Sequence, residues 1–363
     1  MLPEINLDPY ATLLAFAEAV FLRIGCPPAD AAQAAEALLA ADLRGIDSHG
    51  VARLNGYVRL WEAGRINPTP TIRIVHETPS SATVDGDGGL GLVVGPWAMD
   101  VARQKAAAVG TGWVAVRHSN HFGIAGYHAM RALADGQIGI AMTNASPLVA
   151  PTRALKRLLG TNPIAVAVPA GQEPPFVADL ATTTAANGKL EILQRKGLDA
   201  PLDWLQDAAG HPTPDAHGVV KGGALRPLGG DTASHKGYAL GAVVDIFSAV
   251  LSGANYGPWV PPFVAFLAPP ADPVGAGLGH FFGAMRVDAF RPAAEFSAHM
   301  DHWIQTFRAA PARDAARPVL IPGDPERAAE TDRRAHGIPL LAPVVADLRK
   351  LSEKLGVAWE GAR

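Results

Sequence analysis

Thr71-Ile72-Arg73-Ile74-Val75 marks the point where the chain changes its period. Before it, apolar residues recur three and four apart. Here they alternate with polar ones, the two-residue repeat of a half-buried strand. From this point short strand-like runs follow at Ala82 to Val84, Gly112 to Val116, Ile138 to Thr143, Ile164 to Val168, Phe176 to Ala178 and Phe281 to Val287. Helical patterns lie between them at Pro96 to Ala108, with Pro96 suited to a first turn, at Ala125 to Ala134 and at Ala294 to Ala309. Strands alternating with helices predict an α/β fold with a mixed sheet and flanking helices.

Upstream of this stretch the chain reads as helices: a run to Leu22, a second from Asp30 to Leu43 after Pro27-Pro28, and a third from Val51 to Trp61. Downstream, charge density rises from Arg308, and a last helix runs from Val344 to Leu355. The economical reading is a helical domain built from both chain ends, residues 1–70 plus 310–363, around an α/β core over 71–309. That core allows two subdomains, with a boundary near 120 and a return near 235. Residues 197–235, rich in Gly, Pro and Asp, are expected to be loop-dominated. Lys236 to Ser252 reads as the strongest buried helix, in which Asp245 needs a partner. The irregular segment 253–275 is of the kind that lines a site or an interface.

Composition narrows the function classes. The 363 residues are 48% hydrophobic and 18% charged, enough apolar side chain for a sizeable core. A formal charge of −3 argues against a nucleic-acid partner, which calls for a basic excess. Cys26 stands alone, so neither an internal disulfide nor a paired-cysteine zinc site is available. Met1 to Tyr10 lacks the basic start and apolar run of a signal peptide. No clean apolar stretch reaches membrane-spanning length. These features predict a soluble, cytoplasmic protein without membrane contact.

Several polar clusters could carry chemistry. Ser48-His49-Gly50 occupies a turn that opens a helix, and Arg53 follows His49 by four residues, a helical spacing that would share one face. An imidazole beside a guanidinium suits acid/base work on a 2-oxo or 2-hydroxy acid held by its carboxylate. The same residues also read as an N-cap with a solvated face. His118, His121 and His128 lie close together, but their spacing does not share a helical face and no carboxylate or thiol completes a metal set. No metal is therefore expected, and His121 better suits a polar pocket contact. Thr161-Asn162, Asp179-Leu180-Ala181, His235-Lys236 and Pro322-Gly323-Asp324 sit in polar turns that could hold ribose or pyrophosphate, or serve only as turns. Gly86-Asp87-Gly88-Gly89-Leu90-Gly91 matches the glycine fingerprint of a Rossmann dinucleotide loop. Against that alternative, Asp87 would repel phosphate, and the next strand ends without an acid for the ribose.

Taken in order, Asp47-Ser48-His49-Gly50-Val51-Ala52-Arg53, Asn120-His121-Phe122-Gly123, Thr143-Asn144-Ala145-Ser146-Pro147, Leu159-Gly160-Thr161-Asn162-Pro163, Gly188-Lys189, His235-Lys236-Gly237-Tyr238, Ile321-Pro322-Gly323-Asp324 and His336-Gly337-Ile338-Pro339 together resemble the malate/L-lactate dehydrogenase type 2 family of NAD(P)-dependent oxidoreductases. The resemblance spans roughly residues 10 to 357. It implies a non-Rossmann α/β fold, a homodimer with sites near the subunit interface, and hydride transfer between NAD or NADP and C2 of a small carboxylate substrate. That substrate would be a 2-hydroxy or 2-oxo acid, or a related cyclic imino acid. It further implies His49 as general acid, Ser48 as its orienting partner and Arg53 as carboxylate clamp. His121 would be a site histidine that serves as acid/base in some members or lies against the cofactor. Asp179, Leu180, Ala181, His235, Lys236, Pro322, Gly323 and Asp324 would contact the cofactor, and Thr161 and Asn162 would form a pocket wall on the substrate side. A catalytically silent ligand-binding homologue carries the same motifs.

Overall fold

In the computed structural model, which describes residues 5–361, the two chain ends meet. Met1 to Glu4 and the last two residues, ends of the expected helical unit, lie outside the described residues. Strand β1 (Ile5–Asp8) is followed by helices α1 (Tyr10–Arg23), α2 (Pro28–Leu43) and α3 (Leu54–Glu62). Their apolar faces, including Leu13, Phe21, Leu38 and Tyr57, share one core with Ile338, Val345, Leu348 and Leu351 from the far end of the chain. Each large side chain buried in this way contributes about 1.5–3 kcal/mol. That is how segments some three hundred residues apart become one helical layer.

The middle of the chain builds a sheet. Strands β2 (Arg73–Glu77) and β3 (Ser81–Asp85), helix α4 (Gly91–Val109), strand β4 (Thr111–Ser119), helix α5 (Ala125–Met130) and strand β5 (Gln137–Thr143) come in succession. Strands β6 (Ile164–Val168) and β7 (Phe176–Leu180) then lead to helix α6 (Asn187–Lys196), the short pair β8 (Leu205–Gln206) and β9 (Ala224–Leu225), and helix α7 (Gly230–Asp245). Strand β10 (Leu278–Arg286) returns to the sheet, and α8 (Ala293–Arg308), α9 (Asp324–His336), β11 (Ile338–Leu341) and α10 (Ala342–Leu355) complete the chain. The seven strands run in the order β2-β3-β4-β10-β5-β6-β7. Only β3 and β4 pair in parallel; every other neighbour in this sheet is antiparallel. Two strands at opposite ends of the chain, β1 and β11, also pair antiparallel.

This topology confirms the mixed-sheet α/β expectation and excludes the Rossmann alternative, which needs a parallel sheet. The glycines from Gly86 to Gly91 serve packing instead. A Cβ on Gly91 would lie 2.2 Å from the Asn120 carbonyl oxygen, and the Asp87 carboxylate accepts from the Thr71 N–H at 2.9 Å. Protein backbone fills the space a pyrophosphate would need.

Two expectations need correction. Helix α4 begins at Gly91, so Pro96 lies inside it rather than in its first turn. Residues 197–235 are loop-dominated as expected, with only the short pair β8–β9 before α7, yet Ala200, Leu205, Ala216, Val219 and Leu225 form a small core with Leu148 and Leu190. The apolar run from Lys236 is not a buried helix. Helix α7 and the π-helical turn Ile246–Val250 leave Leu240, Val243, Ile246, Val250 and Leu251 between 40% and 61% exposed. Hydropathy shows that a helix carries apolar side chains, not which molecule covers them. Asp245 does find partners, accepting from the Gly257 N–H at 2.8 Å and from Asn144 Nδ2 at 3.3 Å.

Candidate active site

The loop after α2 is folded back on that helix. The Asp42 carboxylate, buried at the helix end, accepts the Val51 N–H at 2.8 Å and fills the space beside Gly50. Arg333 from α9 ties the same turn down through the Asp42 carbonyl and the Asp47 carboxylate. On this loop Ser48 Oγ lies 2.8 Å from His49 Nδ1. Residues 49–53 are not one helical face, as the spacing suggested. A 3₁₀ turn spans Val51–Arg53, and Gly50 before it is non-helical. Arg53 instead bends back, donating from Nε to the Ser48 carbonyl at 2.6 Å and pairing with Glu191 of α6 at 2.8 Å.

The end of β4 delivers the second imidazole. Asn120 Nδ2 donates to the carbonyls of Gly88, Gly89 and Arg65, which pins the strand end to the glycine turn. The His121 ring then stacks on His49 with centroids 5.8 Å apart. Its Nδ1 lies 2.6 Å from the Tyr57 hydroxyl, and Phe263 covers it at 4.5 Å between centroids. Burial, reinforced by the nearby Arg53 charge, drives the His49 imidazole down to about 3. Burial, then the charges of His49 and Arg53, drives His121 well below the usual histidine range. Both rings are therefore neutral at pH 7. The Gly123 N–H donates to His121 Nδ1 at 3.4 Å, so this nitrogen is an acceptor, and the Tyr57 hydroxyl, kept protonated by burial, donates to it as well. A neutral His121 then carries its own proton on Nε2.

The other two histidines of the cluster are elsewhere. His118 Nδ1 lies 3.2 Å from Asp85, whereas His128 is buried against the Phe122 carbonyl at 2.8 Å. Among the described residues no group of three potential metal ligands gathers.

Strand β7 bounds the sheet beyond this pocket. Antiparallel alternation turns the N–H and C=O of Val177 and Asp179 away from β6. The Val177 N–H donates to the Pro322 carbonyl at 3.0 Å, which brings the turn Pro322-Gly323-Asp324 to the strand. The Asp179 carboxyl accepts the Gly126 N–H at 2.8 Å, joining β7 to the segment that carries His121. Burial raises this carboxyl to about 6, against the lowering effects of that hydrogen bond and of Arg44. Leu180 is exposed, and Ala181 leads to Thr182, whose carbonyl accepts the Leu228 N–H at 2.9 Å. Gly237 in turn donates to the Leu228 carbonyl at 3.2 Å, so Lys236, exposed just past a kink at Ala233, lies near the same strip. The part of the β7 edge beyond the Val177–Pro322 contact, an exposed ammonium and a turn at a helix start are polar groups of the kind a dinucleotide requires.

The other sequence candidates also make contacts within the protein. Asn162 accepts the Ala145 N–H at 3.1 Å and donates to the Gly241 carbonyl at 2.9 Å, so its side chain fastens the loop to α7. The Thr161 carbonyl accepts from Thr182. The Asp324 carboxylate is held by the Ile321 N–H and Arg327. His235 lines an open cleft with Thr152, Arg153 and Arg226.

Three residues at the site escaped the sequence reading. Tyr57 lies four residues after Arg53 and could have been found by that spacing. Phe263 comes from the irregular segment and has no local signal. Glu191 was hidden in a helix without a strong pattern.

A family model for malate/L-lactate dehydrogenase matches residues 9–349. Malate dehydrogenase of Pyrococcus horikoshii is 40% identical over 352 residues, 96% of this chain and 95% of that protein. L-sulfolactate dehydrogenase of Methanocaldococcus jannaschii is 36% identical over 341 residues, 94% of this chain and 95% of that one. The crystal structure of malate dehydrogenase from Entamoeba histolytica superposes with a TM-score of 0.91 at 32% identity, covering 98% of this chain and all of that one (100%). With this sequence match along nearly its whole length and this shared mixed-sheet fold, the chain belongs to the malate/L-lactate dehydrogenase family.

Proposed function

We propose that the chain interconverts a small 2-hydroxy acid and its 2-oxo partner, or a related cyclic imino acid, using NAD or NADP. The observation that carries this reading is the half-buried stack of His49 on His121 beside the Arg53 guanidinium. A nicotinamide cofactor held along the β7 edge would supply or accept the hydride. The protein's own residues do the rest. Arg53 holds the substrate carboxylate, and a planar guanidinium fixes its orientation as well as its charge. His49, neutral and steered by Ser48, takes the hydroxyl proton in the oxidative direction and returns it in the reductive one. His121, locked by Tyr57, presents Nε2–H to the substrate oxygen or the cofactor. Phe263 and Tyr57 exclude water around both rings. Asp179 to Ala181, His235, Lys236 and the Pro322 turn hold the dinucleotide, while Thr161 and Asn162 shape the pocket wall.

The working unit we propose is a homodimer. The exposed apolar face of α7 begins within two turns of Lys236, so a second copy would cover that face beside the cofactor strip. A buried, isolated Cys26 with its thiol pushed up to about 12 fits a reducing, cytoplasmic setting. The reading is tested by following NADH and NADPH absorbance against oxaloacetate, pyruvate and Δ1-piperideine-2-carboxylate. Oxidation with one cofactor and one acid class supports it. A folded protein that oxidises neither cofactor with any of them contradicts it.

A further inference from the structure

The Arg53 guanidinium already holds a carboxylate, and that carboxylate belongs to the chain itself. Glu191 Oε2 lies 2.8 Å from Arg53 Nη2, with the two side chains 26% and 14% exposed. Asn187, one turn earlier on α6, donates from Nδ2 to Glu191 Oε1 at 2.8 Å and fixes the carboxylate in that direction. The first turn of α6 sits hard against the histidine loop. A Cβ on Gly188 would lie 2.5 Å from Ser48 Cβ and 2.6 Å from Arg53 Nη2. Helix α6 is anchored on its other side, through Leu190 and Leu193 in the small core and Gln194 Nε2 donating to the Ala216 carbonyl at 2.7 Å, so the face that carries Glu191 meets the histidine loop only at its edge. Leu190 belongs to the small core around Leu205 and Leu225, whereas Arg53 follows the loop that belongs with the helical layer. The pair therefore bridges two packed bodies at the mouth of the site.

We propose that Glu191 is an internal competitor for the substrate carboxylate, a latch that must leave Arg53 before an acid substrate can be clamped. This inference rests on the reading of Arg53 as the carboxylate clamp. Two carboxylates on one half-buried guanidinium repel each other, so binding and the Glu191 contact exclude one another. The apparent affinity for an acid is then the intrinsic affinity multiplied by the fraction of molecules with the latch open. Glu191 thereby sets the threshold concentration for acid substrates and couples their binding to movement of α6. It is a gating residue, not a catalytic one.

The test is calorimetric titration of oxalate, an unreactive carboxylate, into the full-length wild-type protein, Glu191→Gln and Arg53→Gln, each first shown to melt cooperatively. Glu191→Gln keeps the side-chain shape and the Asn187 contact but removes the competing charge. We expect it to bind oxalate about tenfold or more tighter than wild type, corresponding to a latch open in about a tenth of molecules. Arg53→Gln should lose oxalate binding. Binding by Glu191→Gln where wild type shows none supports the latch equally. Unchanged or weaker binding in Glu191→Gln, with loss in Arg53→Gln, overturns the latch and leaves the clamp standing. Oxalate binding by Arg53→Gln equal to wild type overturns the clamp, and the latch with it. Absence of binding in wild type and Glu191→Gln alike overturns both. A structural role for Glu191 would weaken binding or lower stability, and could not tighten it.

Discussion

The Tyr57 hydroxyl donates to His121 Nδ1 at 2.6 Å, the shorter of two contacts, with the Gly123 N–H at 3.4 Å, that keep this nitrogen an acceptor and leave the proton on Nε2. Tyr57→Phe removes the donor while keeping the ring against Phe263 and Phe21. His121 then keeps only the long Gly123 contact at Nδ1 and is freer to turn. Turnover should fall by about tenfold or more with little change in KM, because orientation of an acid/base group acts mainly in the transition state. Steady-state kinetics in both directions check this. Equal kcat in Tyr57→Phe and wild type would show that the Tyr57 contact has no catalytic consequence.

His49 and Arg53 touch the same loop but are assigned different tasks, so their variants should separate. His49→Ala is expected to cut kcat by roughly 10²-fold or more with modest change in cofactor affinity. Arg53→Ala is expected to raise KM for the acid chiefly, since it removes a contact made in ground and transition states alike. Removing the Arg53 charge also takes away one of the two influences that hold His49 near 3. The acid limb of kcat/KM for oxidation, where a protonated His49 cannot act as base, should therefore move up in pH in Arg53→Met. An unmoved limb would place the controlling group elsewhere.

Gly56 lies inside α3, where glycine costs about 1 kcal/mol relative to alanine. The reason for tolerating it is Phe263, whose ring tip would lie 2.5 Å from a Cβ at position 56. Gly56→Ala should thus gain helix propensity yet push Phe263 off His121, with kcat/KM falling several-fold. Phe263→Ala in the same background should remove most of the added penalty. Double-mutant kinetics read this directly, and strictly additive effects would mean that the two positions do not communicate.

Much of this arrangement was legible in the sequence, for physical reasons. The strands at Ala82, Gly112, Ile138, Ile164 and Phe281 announce themselves because alternation is a local property of the pleat. Ser48, His49, Arg53 and His121 could be named because titratable and guanidinium groups in Gly-rich turns are rarely needed for packing. Their geometry could not be named. A single non-helical Gly50 breaks the helical face that the spacing suggested, and Arg53 turns toward a residue far along the chain. Phe263 reaches the site through backbone contacts, its N–H to Ser146 Oγ at 2.8 Å and the neighbouring Pro262 carbonyl to Arg65 at 2.8 Å, which no periodicity encodes. Position β10 is equally non-local. Its sequence reads as a strand, but its place between β4 and β5 follows from pairings more than a hundred residues away.

The exposed α7 face makes a prediction about assembly. Ile246 is 50% and Val250 53% exposed on one side of the helical end. Introducing a carboxylate there, as in Ile246→Glu or Val250→Glu, should leave the monomer fold intact and convert a dimer to monomer in light scattering. Burying an unpaired charge at an interface costs several kcal/mol, enough to shift the association constant by about 10²-fold or more. An unchanged mass in both variants would place the interface on another surface.

His280 joins the three central strands through its side chain. Thr143 Oγ1 lies 2.7 Å from Nδ1 and Ser119 Oγ 2.7 Å from Nε2, and the ring is fully buried against Phe122. A neutral imidazole satisfies both hydroxyls, one as donor and one as acceptor. Burial, then the neighbouring His128, drives this imidazole from 6.5 down to about 3. The folded state therefore refuses a proton that the unfolded state takes up below about 6.5. Stability from this group is present at neutral pH and is lost as pH falls, at about 1.4 kcal/mol per pH unit. His280→Gln should cost about 2–4 kcal/mol at pH 7.5 by leaving a buried hydroxyl without its partner. Because glutamine does not titrate, that cost should shrink by about 2 kcal/mol when the measurement is repeated at pH 5. Urea unfolding of both proteins at the two pH values gives the comparison. A cost that stays constant would mean that His280 takes up its proton as readily in the folded protein as in the unfolded chain.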